Sequence, residues 1–126
     1  MEKEKVIERL KQLGYEYVEE KDTNSLEFTI SKTEQSILNA TNCVVLPNEL
    51  QYIAIDRACA EFLKLKKAFD QLQEFDMEQF AKTVSMGDVS ITLSSEDSPE
   101  HKFDTIIEYM LTGNEEDIIR CRKLVW

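Results

Sequence analysis

The side chains in this 126-residue chain that could do chemistry are three cysteines, a single histidine and a surplus of acids. Cys43, Cys59 and Cys121 with His101 would be the raw material of a metal site. Their spacing matches no zinc pattern, and Cys59 falls on the apolar face of an expected helix. An odd set of cysteines without a CxxC pair reads as reduced thiols in a cytosol. The start, Met1-Glu2-Lys3-Glu4-Lys5, has no apolar secretion segment behind it. His101 lies in an expected first helical turn, where exposure is the rule. The 25 acids follow surface positions and form no specific pair for acid–base work. GxSxG, HExxH and a glycine-rich phosphate loop are all absent. These residues argue for no enzyme, and neither a metal nor a cofactor is expected.

The ending carries a different chemistry, that of recognition. Arg120, Arg122 and Lys123 stand beside Leu124, Val125 and the terminal Trp126. Trp and Arg are the residues that most often carry interface energy. On one reading this tail inserts Trp126 into a partner's groove while the cations meet acids at the rim. On the other, the cations complement the last helix's dipole and Trp126 folds back on its own core. Charge is uneven along the chain. The net charge is −10, and residues 70–117 hold thirteen acids against Lys82 and Lys102. Such a chain is a poor clamp for DNA phosphates, and Lys64-Lys66-Lys67 is the only basic stretch that speaks for nucleic acid. The acidic region reads as a solvated surface or as a wall that repels passing DNA. No apolar run is long enough to cross a membrane.

The elements that must position these residues read as mainly α: a small helical bundle, one domain over 1–126, around a long central helix. That helix is expected over Pro47–Phe69, with Ile55, Ala58, Cys59, Phe62, Leu65 and Phe69 on one face and Pro47 in its first turn. Residues 2–13 form an amphipathic helix on Val6, Leu10 and Leu13, closed by Gly14. Tyr15 and Tyr17 lead into a polar link over Glu19 to Asp22. Asn24 and Glu27 resemble a capping box that opens a helix running to about Leu38, with Phe28 on its outer side. Ser98-Pro99-Glu100 starts a further helix on Phe103, Ile106, Ile107, Met110 and Leu111. Asn114 caps a last short one with Ile118 and Ile119.

Between these helices the period changes to two. Phe80, Val84 and Met86, then Val89, Ile91 and Leu93, alternate with small polar residues around Gly87-Asp88, a two-residue turn signal. The expectation is a β-hairpin insertion at about 80–94. It must lie on the helices or pair with another subunit, so Val84, Met86, Gly87, Asp88, Val89 and Ile91 are candidate subunit contacts.

The order of motifs resembles the head–tail connector, or adaptor, family of long-tailed bacteriophages and prophages. The resemblance rests on Asn39-Ala40-Thr41-Asn42 before Pro47, and on Asp56-Arg57-Ala58-Cys59-Ala60-Glu61-Phe62-Leu63. It continues through Lys82-Thr83-Val84-Ser85-Met86-Gly87-Asp88-Val89-Ser90-Ile91, Ser98-Pro99-Glu100 and the ending Arg122-Lys123-Leu124-Val125-Trp126. It implies a structural virion protein, not an enzyme, that forms a homo-oligomeric ring, usually twelvefold. The ring would sit between the portal protein and the stopper or tail-completion protein, at the head–tail interface after assembly in the host cytoplasm. DNA would pass through it without specific binding. The resemblance also implies that Arg120, Arg122, Lys123, Leu124, Val125 and Trp126 contact the portal. Val125 stands where a further basic residue is expected, which weakens a purely electrostatic docking. The alternative is a small helical regulator or adaptor that binds a host protein through the same tail.

Overall fold

Gly14 ends the first helix in the way its position suggests. Helix α1 (Lys3–Gln12) buries Val6 and Leu10. Beyond it Gly14 adopts φ +97°, the Gly14 N–H reaches Lys11 O at 3.0 Å and the Tyr15 N–H reaches Leu10 O at 2.9 Å. This pair of bonds is the Schellman closure, and it needs a residue that tolerates positive φ. The computed structural model describes residues 1–87 and 98–123 of the chain.

Helix α2 (Glu19–Thr41) is longer than the sequence reading. The stretch from Glu19 to Asp22, expected as a polar link, is its first turn, and Asn24 and Glu27 lie inside it. The reason is Asp22, whose Oδ2 accepts the Val18 N–H at 3.0 Å and so caps the helix from within. Glu19 and Glu20 add negative charge at the positive end of the helix dipole. Asn42, at φ 56°, closes the far end, three residues beyond the expected end at about Leu38. Phe28 is exposed, as expected.

Pro47 is extended and precedes a 3-10 turn, Asn48–Leu50, rather than occupying a helical first turn. Helix α3 (Gln51–Ala68) then runs through the middle of the molecule and packs against α1, α2 and helix α5 (Pro99–Thr112). Ile55, Ala58, Cys59 and Phe62 are buried on it, but Leu65 and Phe69 are exposed. Lys66 takes the interior position instead. Lys67 bridges to Glu100 and Asp104 on α5.

The hairpin expectation is corrected. Helix α4 occupies Met77–Gly87, and there is no strand among the described residues. Phe80 and Val84 are four apart, a spacing that serves either period. With Met77 and Ala81 they form a helical face that α5 covers, and Phe80, Ala81 and Val84 are buried there. Gly87 is the last residue of this helix, not the corner of a two-residue turn. Asp88, Val89, Ile91 and the rest of the expected second strand lie outside the described residues.

Ser98 caps α5 by accepting the His101 N–H at 3.2 Å, with Pro99 at the first helical position. The stripe Phe103, Ile106, Ile107 and Met110 is buried. Phe75, Phe80 and Phe103 stack pairwise with centroids 5.3–5.8 Å apart, joining the loop before α4 to α4 and α5. Helix α6 (Glu115–Arg120) lies on α2 and the 3-10 turn. There Ile37, Leu46, Leu50, Ala54 and Ile118 form a second, smaller core, separate from the main one under α3.

Candidate docking site at the C-terminal end

The smaller core brings the end of α2, the loop that follows it, the 3-10 turn and the start of α3 against α6, which lies far away in sequence. Ile118 points into this core, whereas Ile119 is 65% exposed. In the loop, Cys43 and Leu46 are buried and the two residues between them are turned outward, Val44 at 90% and Val45 at 76% exposure. An adjacent pair of valines is thus left almost uncovered by the described residues.

Residues 121–123 are fastened to the end of α2. The Lys123 N–H donates to Thr41 O at 2.7 Å, which satisfies one of the helix's terminal carbonyls. The Asn42 side-chain amide donates to Lys123 O at 2.9 Å. The Cys43 thiol lies 3.7 Å from Cys121 O. Asn42 thus serves twice: its left-handed backbone stops α2, and its side chain holds the C-terminal segment. Arg120 pairs with Asp117 one turn back. The side chains of Arg120, Arg122 and Lys123 are exposed. The structure therefore brings these three cations to one exposed end, next to the loop that carries Val44 and Val45. Leu124, Val125 and Trp126 lie outside the described residues.

The six hairpin positions do not form a comparable surface. Val84 is buried in the chain's own core, so its side chain is not available to a partner. Met86 and Gly87 belong to α4, and Asp88, Val89 and Ile91 fall outside the described residues.

Near the opposite end of α2, roughly 30 Å away at about 1.5 Å per residue, lies an ionic cluster that no motif announced. Asp22 is 0% and Lys66 4% exposed. Lys66 Nζ stands 2.7 Å from Asp22 Oδ1 in a coulombic contact that lacks hydrogen-bond alignment. Asp22 Oδ2 accepts the Tyr15 hydroxyl at 2.8 Å, and Lys66 also donates to Gln71 Oε1 at 3.0 Å. Burial pushes the Asp22 carboxyl up, but Lys66, the Val18 N–H and the Tyr15 hydroxyl outweigh it and hold it below the ordinary value. Burial and then the Asp22 carboxylate drive the Tyr15 phenol upward. The one available signal was positional. Asp22 continues the buried series Leu26, Ile30, Thr33 one turn toward the N-terminus, and Lys66 stands four residues after Phe62.

The cysteines form no disulfide. Burial, reinforced by Asp56, raises the Cys59 thiol far above its usual value, which makes it a poor nucleophile. Among the described residues no group of three metal-ligating side chains comes together, and no helix is long and apolar enough to cross a membrane. Comparison of the chain with protein-family models, with curated proteins and with solved structures finds no match.

Proposed function

We propose that this chain is a structural subunit of a phage head–tail connector, docking onto the portal through its C-terminal end. The observation that carries the reading is the fastening of residues 121–123 by Thr41 and Asn42. It holds the cationic segment at an exposed end of the domain, beside Val44, Val45 and Ile119. A partner that fits this end offers an apolar pocket rimmed with acids. Trp126 as the anchor contributes about 2 kcal/mol or more. Each exposed ion pair around it adds only about 0–1 kcal/mol. Repetition around a ring, twelvefold by the family resemblance, turns a modest single contact into strong avidity. The thirteen acids of residues 70–117 suit a channel wall that DNA crosses without being gripped.

The test is electron microscopy and sedimentation of the protein mixed with its cognate portal, for the full chain and for a variant ending at Lys123. The full chain is expected to give ring-shaped assemblies on the portal. The truncated chain keeps the same helical circular dichroism and does not dock. A chain that never assembles with portal present refutes the connector reading. A monomer that captures a host protein through the same tail would establish the regulator instead.

A further inference from the structure

Helix α6 leads into the candidate docking end, yet it has only six residues and one buried side chain, Ile118. So short a helix cannot fix its own direction, and its packing must do so. Its far end is tied down by Thr41 and Asn42. Its near end leaves α5 through Gly113 and Asn114, where the backbone is crowded. The Gly113 N–H donates to Tyr109 O at 2.7 Å. A Cβ at Gly113 would stand only 2.6 Å from that same carbonyl, and Asn114 takes a left-handed φ of 62°. A side chain from α3 reaches this corner. Arg57 Nη2 donates to Gly113 O at 2.9 Å and stands 3.6 Å from Glu115 Oε1 in the first turn of α6.

The guanidinium is not there for stability alone. The Arg57 side chain is 14% exposed, and its Nε–H is buried without a partner, as is the Thr33 hydroxyl on α2. A buried polar group left unpaired is destabilising, and each such exception calls for an explanation. An apolar side chain of similar length would avoid the penalty. It could not supply a charge-assisted hydrogen bond from α3 to the corner between α5 and α6. We propose that Arg57 is the positioning residue of the C-terminal end. Its bond to Gly113 fixes the direction in which α6 leaves α5, and with it the place of Arg120, Arg122 and Lys123. The functional weight of that placement rests on the docking role proposed above. The Gly113 carbonyl is the main contact, because Glu115 is 64% exposed and its charge is screened by solvent.

The test combines amide hydrogen exchange with portal binding in sedimentation, for the full chain and for Arg57→Met, Glu115→Gln and Gly113→Ala. The reporting amides are Ile118, Cys121 and Lys123, which bond Asn114 O, Asp117 O and Thr41 O. In Arg57→Met they are expected to exchange about tenfold faster, the loss of one hydrogen bond to a charged group. Portal affinity falls by a similar factor, while the amides of Phe62 and Leu63 in the main core keep their rates. Glu115→Gln leaves the Gly113 bond in place and changes both readouts by less than about threefold, as for an exposed pair. Gly113→Ala displaces the corner from the other side and gives the same signature as Arg57→Met. It carries the test if Arg57→Met does not fold. The double variant is no worse than either single one, since both act on one contact. Unchanged exchange from Ile118 to Lys123, an acceleration shared equally by Phe62 and Leu63, or additive effects in the double variant overturns the proposal. So does an effect of Glu115→Gln as large as that of Arg57→Met, or undiminished portal affinity in a variant whose end has loosened. If the full chain itself does not bind portal, the docking reading fails, and the exchange rates alone decide whether Arg57 positions α6.

Discussion

Replacing Asp22 by alanine should be the most damaging single change on the surface of α2 that meets α3. The substitution removes one carboxylate but strands three groups: the Lys66 ammonium 2.7 Å away, the Tyr15 hydroxyl at 2.8 Å and the Val18 N–H at 3.0 Å. Lys66 keeps Gln71 and the face of the Phe62 ring, 5.4 Å from its nitrogen, but neither neutralises it. Breaking a buried ion pair by removing one partner costs about 3–5 kcal/mol. Against a total stability of about 5–15 kcal/mol for an ordinary domain, that is a large share. At a few degrees per kcal/mol for a chain of this size, Tm should fall by roughly 10–20 °C. Asp22→Leu combined with Lys66→Met should recover most of the loss, since well-packed apolar pairs often match buried ion pairs. The assay is thermal and urea unfolding of the two single variants, Asp22→Ala and Lys66→Met, and the double variant. A loss below about 1 kcal/mol for Asp22→Ala, the range of an exposed pair, would refute the reasoning and mean that water reaches the cluster. A double variant no better than Asp22→Ala would refute the claim that the stranded charge is the cause.

The same carboxyl sets an acid limit. Its folded value lies below the unfolded 3.8, so between the two the unfolded state binds more protons and stability rises with pH. The contribution is complete above the unfolded value and is lost as pH falls through the folded one, and Lys66→Met should make this acid limb shallower in pH-dependent unfolding. Gly14→Ala should cost about 1 kcal/mol in urea unfolding through strain at φ +97°, because an added Cβ meets nothing closer than Phe75 at 3.9 Å. Asn42→Ala should loosen the C-terminal segment as well as α2, visible as faster amide exchange at Lys123, whose N–H bonds Thr41 O. In native alkylation Cys121, only partly buried, should react well before fully buried Cys59, and equal rates would contradict the burial of α3.

Local signals in the sequence determined the parts of the protein that local interactions hold together. Gly14 closes α1, Ser98-Pro99 opens α5 and Asn42 ends α2, and each acts within one helical turn of itself. The central position of α3 was legible too, because a stripe as apolar as Ala54 to Leu63 must be covered on several sides. The cations of the candidate docking end could be named from composition. Their setting could not, since Thr41 and Lys123 meet across the smaller core and no spacing records that meeting. Tertiary packing alone decided between strand and helix at Phe80 to Val84. There the covering surface of α5 favours a four-residue period over an alternation that the same residues also satisfy. It likewise decided that Lys66 goes inside while Leu65 and Phe69 stay out. A lysine enters a core only when a carboxylate on another element waits for it, and Asp22 lies 44 residues earlier in the chain. The unpartnered Thr33 and Arg57 belong to the same class. Each is an ordinary residue in its own helix, and only tertiary packing buries its polar atom without a partner.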